Sequence, residues 1–207
     1  HESESRCWET RIGRTEEFWK FLLPHIKTMF PKRYESLEPK SFFMEMSRVA
    51  PTFIRTDSDE VTYPLHVILR FQIEKELLEG KLSVKELPER WKSGMRELLG
   101  ITPPTNRQGC LQDIHWSMGA FGYFPTYTLG NIFAAELFPV FEQAHPDWRT
   151  RISKGDFACI KEWHTDKVHQ HGRRYTSKEL VEKITGKKTT AAAYLNYLRD
   201  KYLTIFN

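Results

Sequence analysis

No two of the eight histidines in this 207-residue chain stand three or four positions apart. A helix that binds catalytic zinc through two imidazoles needs that spacing, because only residues at i and i+4 share a helix face there. The chain therefore holds no H-E-x-x-H run. Cysteine is equally sparse. Cys7, Cys110 and Cys159 are far apart, odd in number and form no C-x-x-C pair. That excludes a disulfide framework and suits buried thiols in a reducing cytosol. No stretch approaches 18 apolar residues, which excludes a helical membrane span. Repeats, low-complexity stretches and an obvious linker are also missing.

What is present suits one packed domain or a large piece of one. Hydrophobic residues make up 40% of the chain and aromatics 14%. The net charge of +4 is uneven, with the excess of lysine and arginine after residue 148. Acids are interleaved there and no recognition motif accompanies the bases, so a solvated helical surface is expected rather than a nucleic-acid site.

Helical periodicity runs through most of the sequence. Trp8, Ile12, Trp19, Leu22, Leu23 and Ile26 recur at helical spacing, with Pro24 an expected break. Residues 59–79 read most clearly as a helix, with Val61, Leu65, Ile68, Leu69, Ile73 and Leu77 on one face. Asp57 and Glu60 resemble a capping box, and Gly80 sits where a terminating glycine belongs. Pro88 opens a helix with Trp91, Met95, Leu98 and Leu99 inside and Gly100 ending it. Residues 101–128 are broken by Pro103, Pro104, Gly109, Gly119, Gly122 and Pro125, and read as loop or short strand. Helices are expected again over about 129–145, 156–170, 177–185 and 190–205, the third opened by Thr176 with Glu179 and stopped by Gly186.

Several runs could carry chemistry. Glu2, by spacing alone, is an exposed carboxylate. Arg55 follows the apolar pair Phe53-Ile54 and precedes acids. It reads either as half of a structural ion pair or as a planar fork that grips a carboxylate through two hydrogen bonds. Gln112, Asp113 and His115 lie in Gly109–Trp116. On an extended strand Asp113 and His115 would share a face, so the carboxylate could fix the imidazole's tautomer; a satisfied core histidine is the plainer alternative. Tyr123 and Tyr127 flank a proline turn. They read as loop packing or as phenols that donate to an oxyanion. His169 and His171 read as a polar helix terminus rather than a metal pair.

In order along the chain, His1–Arg6, Ile54–Asp59, Gly109–Trp116 and Gly122–Gly130 resemble four motifs of the carboxypeptidase Taq family of zinc metallocarboxypeptidases. These are H-E-S-x-S-R, I-R-x-x-A-D, G-x-x-Q-D-x-H-W and G-Y-F-P-T-Y-x-L-G. The resemblance covers essentially the whole chain. Glu4 stands where the family usually has glutamine, and Ser58 where it has alanine.

The resemblance implies a mainly α fold, the C-terminal helical part of a deep-groove gluzincin of the neurolysin-like type, with a few short strands near the active site. It implies that residues 1–207 are the C-terminal portion of a single catalytic domain. It makes Glu2 the third metal ligand and Arg55 the receptor of a substrate's terminal carboxylate, with Asp113 and Gln112 lining the cleft. His115, Tyr127 and Tyr123 become transition-state contacts, Tyr127 ahead of Tyr123, and Asp113 the group that orients His115. The metal is expected to be zinc, with cobalt or another divalent ion an alternative, and not to be retained by this stretch alone. The family's H-E-x-x-H, D-x-R-x-T and H-P-F motifs are not here, so they are expected upstream, which also makes the lack of a secretory leader uninformative. Peptide substrate, the N-terminal part of the same enzyme and a second copy in a homodimer are the expected partners, in the cytoplasm. A non-catalytic helical module that binds a partner or a peptide C-terminus is the competing reading.

Overall fold

A computed structural model describes residues 1–206. The chain divides into two compact units, His1–Ser47 with Gly130–Asn207, and Arg48–Leu129. Among the described residues every regular element is helical. The short strands expected near the site do not form. Residues 101–124 make turns, irregular chain and one 3-10 turn, Trp116–Met118.

In the first unit, α1 (Glu2–Arg6) passes directly into a π-helical segment, Cys7–Gly13. Next come α2 (Glu16–Met29), α3 (Pro31–Tyr34) and α4 (Pro39–Met46). Thr15 caps α2 by accepting from the Phe18 amide. Pro24 does not break α2 as expected. It lies on the exposed side, where a carbonyl without a donor can turn to water.

The second unit holds α5 (Tyr63–Leu78) and α6 (Leu87–Leu99), which pack on each other. Contact is close at Gly94, where a Cβ would stand 2.2 Å from Leu69 Cδ1. Leu69, Ile73, Trp91, Met95 and Leu99 form that core. Gly100 ends α6 at φ 71°, as its position predicted. The capping box expected at Asp57 is absent. Asp59 instead accepts from the Val61 and Thr62 amides at 2.8 and 2.9 Å, and α5 begins at Tyr63.

The buried face of α5 keeps Leu65, Leu69, Ile73 and Leu77 of the apolar face read from the sequence, but it is wider than that face. Ile68 is exposed, while His66, Arg70 and Glu74 are buried. A stripe containing three polar residues is invisible to a pattern that counts only apolar ones.

The chain then forms α7 (Pro125–Ala144), α8 (Trp148–Ser153), α9 (Ala158–Lys167), α10 (Ser177–Thr185) and α11 (Ala192–Phe206). Residues from α7, α8, α9 and α10 supply most of the first unit's core: Phe138, Phe141, Trp148, Ile152, Ile160, Trp163 and Val181, joined by Cys7 and Ile12. The expected capping box of α10 is complete in both directions, Thr176 with Glu179. All three cysteines are free and buried. Burial pushes the Cys7 thiol up to about 12, so it stays protonated and inert.

Candidate active site

The residues singled out by sequence fall in both units. Glu2 belongs to the first; Arg55, Gln112, Asp113, His115, Tyr123 and Tyr127 belong to the second.

In the second unit the helix α5 and the irregular segment after α6 converge on Asp113. Its Oδ1 accepts from Arg55 Nε at 3.2 Å and Nη2 at 2.9 Å. Its Oδ2 accepts from Arg70 Nε at 2.6 Å. Burial alone would raise the Asp113 pKa, but the charges of Arg70 and Arg55 and their hydrogen bonds outweigh it and hold the carboxyl below its usual range. Arg55 also donates from Nη1 to the Tyr63 hydroxyl at 3.1 Å. Three of its five N–H groups are thereby committed, and two remain for another acceptor. Arg70 is fully buried, lies over Trp91 at 4.6 Å, and donates from Nη1 to the His66 carbonyl at 2.9 Å. Burial pulls its pKa down to about 10, so it remains charged at neutral pH.

The backbone of Arg55 is fixed as well. Gln112 Oε1 accepts from the Arg55 amide at 2.8 Å, and Gln112 Nε2 donates to the Phe53 carbonyl at 3.0 Å. Gln112 therefore holds the Arg55 loop, its amide committed to main chain. Ser58, an alanine in the family pattern, donates its hydroxyl to the Arg55 carbonyl at 2.6 Å.

His115 departs from its expected arrangement. Asp113 and Ile114 lie in irregular chain and His115 leads into the 3-10 turn, with no strand, and His115 Nδ1 lies 3.9 Å from Asp113 Oδ1, beyond hydrogen-bond reach. Both Asp113 oxygens are already taken by guanidiniums. Tyr127 orients the imidazole instead, with 2.9 Å between its hydroxyl and His115 Nε2. Burial lowers the His115 pKa, Arg55 and Arg70 add to this, and Asp113 opposes, so the ring is neutral at pH 7. Tyr123 is about half exposed, with its ring 5.6 Å from His115 and 5.4 Å from Tyr127.

Arg70, Glu74 and Tyr63 were not singled out by sequence. Glu74 accepts from Trp116 Nε1 at 2.7 Å and from the Gly122 amide, which ties the His115 and Tyr123 segment to α5. The available signal was spacing: His66, Arg70 and Glu74 repeat every four residues along one helix, in the period of a buried face.

His66 is fully buried, and neither ring nitrogen has a hydrogen-bond partner among the described residues. Burial, then the charges of Arg70 and Arg55, pull its pKa down to about 4. The unfolded chain takes this proton near pH 6.5. Between those values the unfolded state binds more protons, so stability is complete above the window and falls as pH drops through it. The expected loss is about 3 kcal/mol from pH 7 to below pH 4. Denaturant titrations across that range check it: His66→Phe should remove this part of the slope, and parallel curves for both proteins would refute the assignment.

In the first unit Glu2 occupies the first turn of α1, where carboxylates are favoured. Its Oε2 accepts from Ser5 Oγ at 3.1 Å. Gly130, the last residue of the fourth motif, packs directly on it. A Cβ at Gly130 would stand 2.6 Å from Glu2 Cγ, too close for any side chain there. Glu4, the other departure from the family pattern, pairs with His169 at 2.7 Å, which gives the polar terminus around His169 a partner in α1. Among the described residues no three histidine, cysteine or acidic side chains gather closely enough to hold a metal ion. By themselves, then, these residues do not fit a metal.

The match to known proteins is decisive. Residues 1–202 match the carboxypeptidase Taq (M32) metallopeptidase family. The chain belongs to that family. It is 39% identical over 203 residues to thermostable carboxypeptidase 1 of Pyrococcus furiosus, covering 98% of this chain and 40% of that protein. With carboxypeptidase 1 of Bacillus subtilis it shares 37% identity over 206 residues, 100% of this chain and 41% of the relative. The crystal structure of the M32 carboxypeptidase from Deinococcus radiodurans superposes with a TM-score of 0.93 at 39% identity, over 99% of this chain and 41% of that one. The mainly helical fold is thus that of M32 carboxypeptidases. The chain spans about two fifths of the length of the curated relatives it matches.

Proposed function

We propose that the chain is part of a metallocarboxypeptidase that removes residues one at a time from the C-termini of peptides, and that both units serve one catalytic domain. The observation that carries this reading is the Arg55 guanidinium, buried and braced by Asp113 and Tyr63 with two N–H groups uncommitted. An exopeptidase must find a chain end, and a planar fork that pairs with a carboxylate does so.

On this reading Arg55 receives the terminal carboxylate, and Asp113 and Gln112 hold it in place. Tyr127, or else Tyr123, donates to the oxyanion that develops at the scissile carbonyl. Glu2 contributes one ligand of a divalent ion, zinc or alternatively cobalt, with Gly130 leaving room for its side chain. The other ligands and the general base are assigned to residues outside this sequence, in an upstream part of the same enzyme. Cytoplasmic location and a homodimer belong to the same reading.

The test compares N-acylated dipeptides with their C-terminal amides. The 207-residue chain alone should show no turnover, since one carboxylate cannot retain a catalytic ion; zinc-dependent hydrolysis by this chain would overturn that. Joined to the proposed upstream portion, it should hydrolyse the acids and not the amides. There Arg55→Met should lower kcat/KM on the order of a hundredfold, mainly through KM. Binding of acids without hydrolysis in that longer polypeptide would favour the non-catalytic module.

A further inference from the structure

Arg55 with Asp113 alone would be a neutral pair, a structural ion pair with little attraction left for an anion. The second guanidinium changes that balance. Arg70 and Arg55 divide one carboxylate, Arg70 on Oδ2 and Arg55 on Oδ1. Neither forms a second ion pair among the described residues. Two nearby carboxylates of this unit go to other donors. Asp59 accepts from the amides of Ala50, Val61 and Thr62, and Glu74 from Trp116 and Gly122. His66 adds no positive charge at neutral pH. The hydrogen-bonded trio therefore carries one more positive charge than negative. A buried surplus charge costs free energy unless a counter-charge arrives, and that cost is what a ligand carboxylate relieves.

We infer that Arg70 is a positioning residue for the carboxylate site: by sharing Asp113 it leaves the trio one uncompensated positive charge and holds Asp113 where it braces Arg55. Arg70 itself touches no ligand, since it is wholly buried. This inference rests on the reading of Arg55 as the receptor of a peptide's terminal carboxylate.

The test uses the whole 207-residue chain and a pair of probes, N-acetyl-Phe-Ala and its C-terminal amide. Binding is followed by isothermal titration calorimetry, which reads every variant in the same way. The unsubstituted chain should prefer the acid, and Arg55→Met should abolish the preference. If the unsubstituted chain shows none, or Arg55→Met keeps it, the receptor reading fails, and this inference with it. Arg70→Met makes the trio neutral, and the preference should fall on the order of tenfold. Adding Asp113→Asn to Arg70→Met restores the single positive charge and should recover most of the preference. A merely structural Arg70 would predict the opposite, since the second change removes another brace. The inference alone is overturned if Arg55→Met loses the preference while Arg70→Met retains it, or if the double variant fails to recover it. Should Arg70→Met not fold, the double variant decides by the same criterion: acid preference near that of the unsubstituted chain supports the charge argument, and its loss overturns it.

Discussion

Asp113→Ala should destabilise the second unit by about 3–5 kcal/mol. Asp113 is the shared counter-charge of two buried guanidiniums, 2.9 Å from Arg55 Nη2 and 2.6 Å from Arg70 Nε. Alanine would strand both. The cost is that of two desolvated cations without an anion, not that of one hydrogen bond. Asp113→Asn should cost less, because its amide oxygen still accepts while its charge is gone. Denaturant unfolding at neutral pH measures both. A loss below about 1 kcal/mol for alanine would mean that water reaches both guanidiniums, and the buried trio would have to be abandoned.

Trp91→Ala should cost about 3–5 kcal/mol as well, for a different reason. Trp91 is 1% exposed on α6, between α5 and the Trp116 ring 6.3 Å away. Its indole nitrogen has no hydrogen-bond partner among the described residues, so truncation removes apolar contact and leaves a cavity without breaking a polar link. It also removes the ring beneath the Arg70 guanidinium. Acid preference should therefore weaken together with stability. Leu78→Ala on α5, where the side chain is 66% exposed, is the control and should stay within about 0.5 kcal/mol. Equal losses at both positions would contradict the core described for this unit.

The parts of the fold legible in sequence were those set by neighbours along the chain. Gly100 and Gly186 stop α6 and α10 where expected, because a left-handed residue ends a helix by local geometry. Thr176 and Glu179 close their capping box within three residues. On α5 the apolar part of the buried face, Leu69 and Ile73, was legible, but His66, Arg70 and Glu74 on the same side were not, because hydropathy cannot show whether a polar residue has a partner. The site residues were nominated by motif, but their contacts were not. Asp113 was expected on His115 and is held by Arg55 and Arg70; Gln112 was placed in the cleft and is bound to main chain.

The amino-acid order alone determined the mainly helical class, the caps of individual helices and the family, through four motifs in one sequence. Tertiary structure decided the rest. Asp113 meets Arg70 across 43 positions and Arg55 across 58, and Gly130 meets Glu2 across the length of most of the chain. Caps and turns draw their energy from residues a few positions away, so they are written locally. Charge pairing and close packing act through space, and which carboxylate neutralises which guanidinium exists only once the chain has folded.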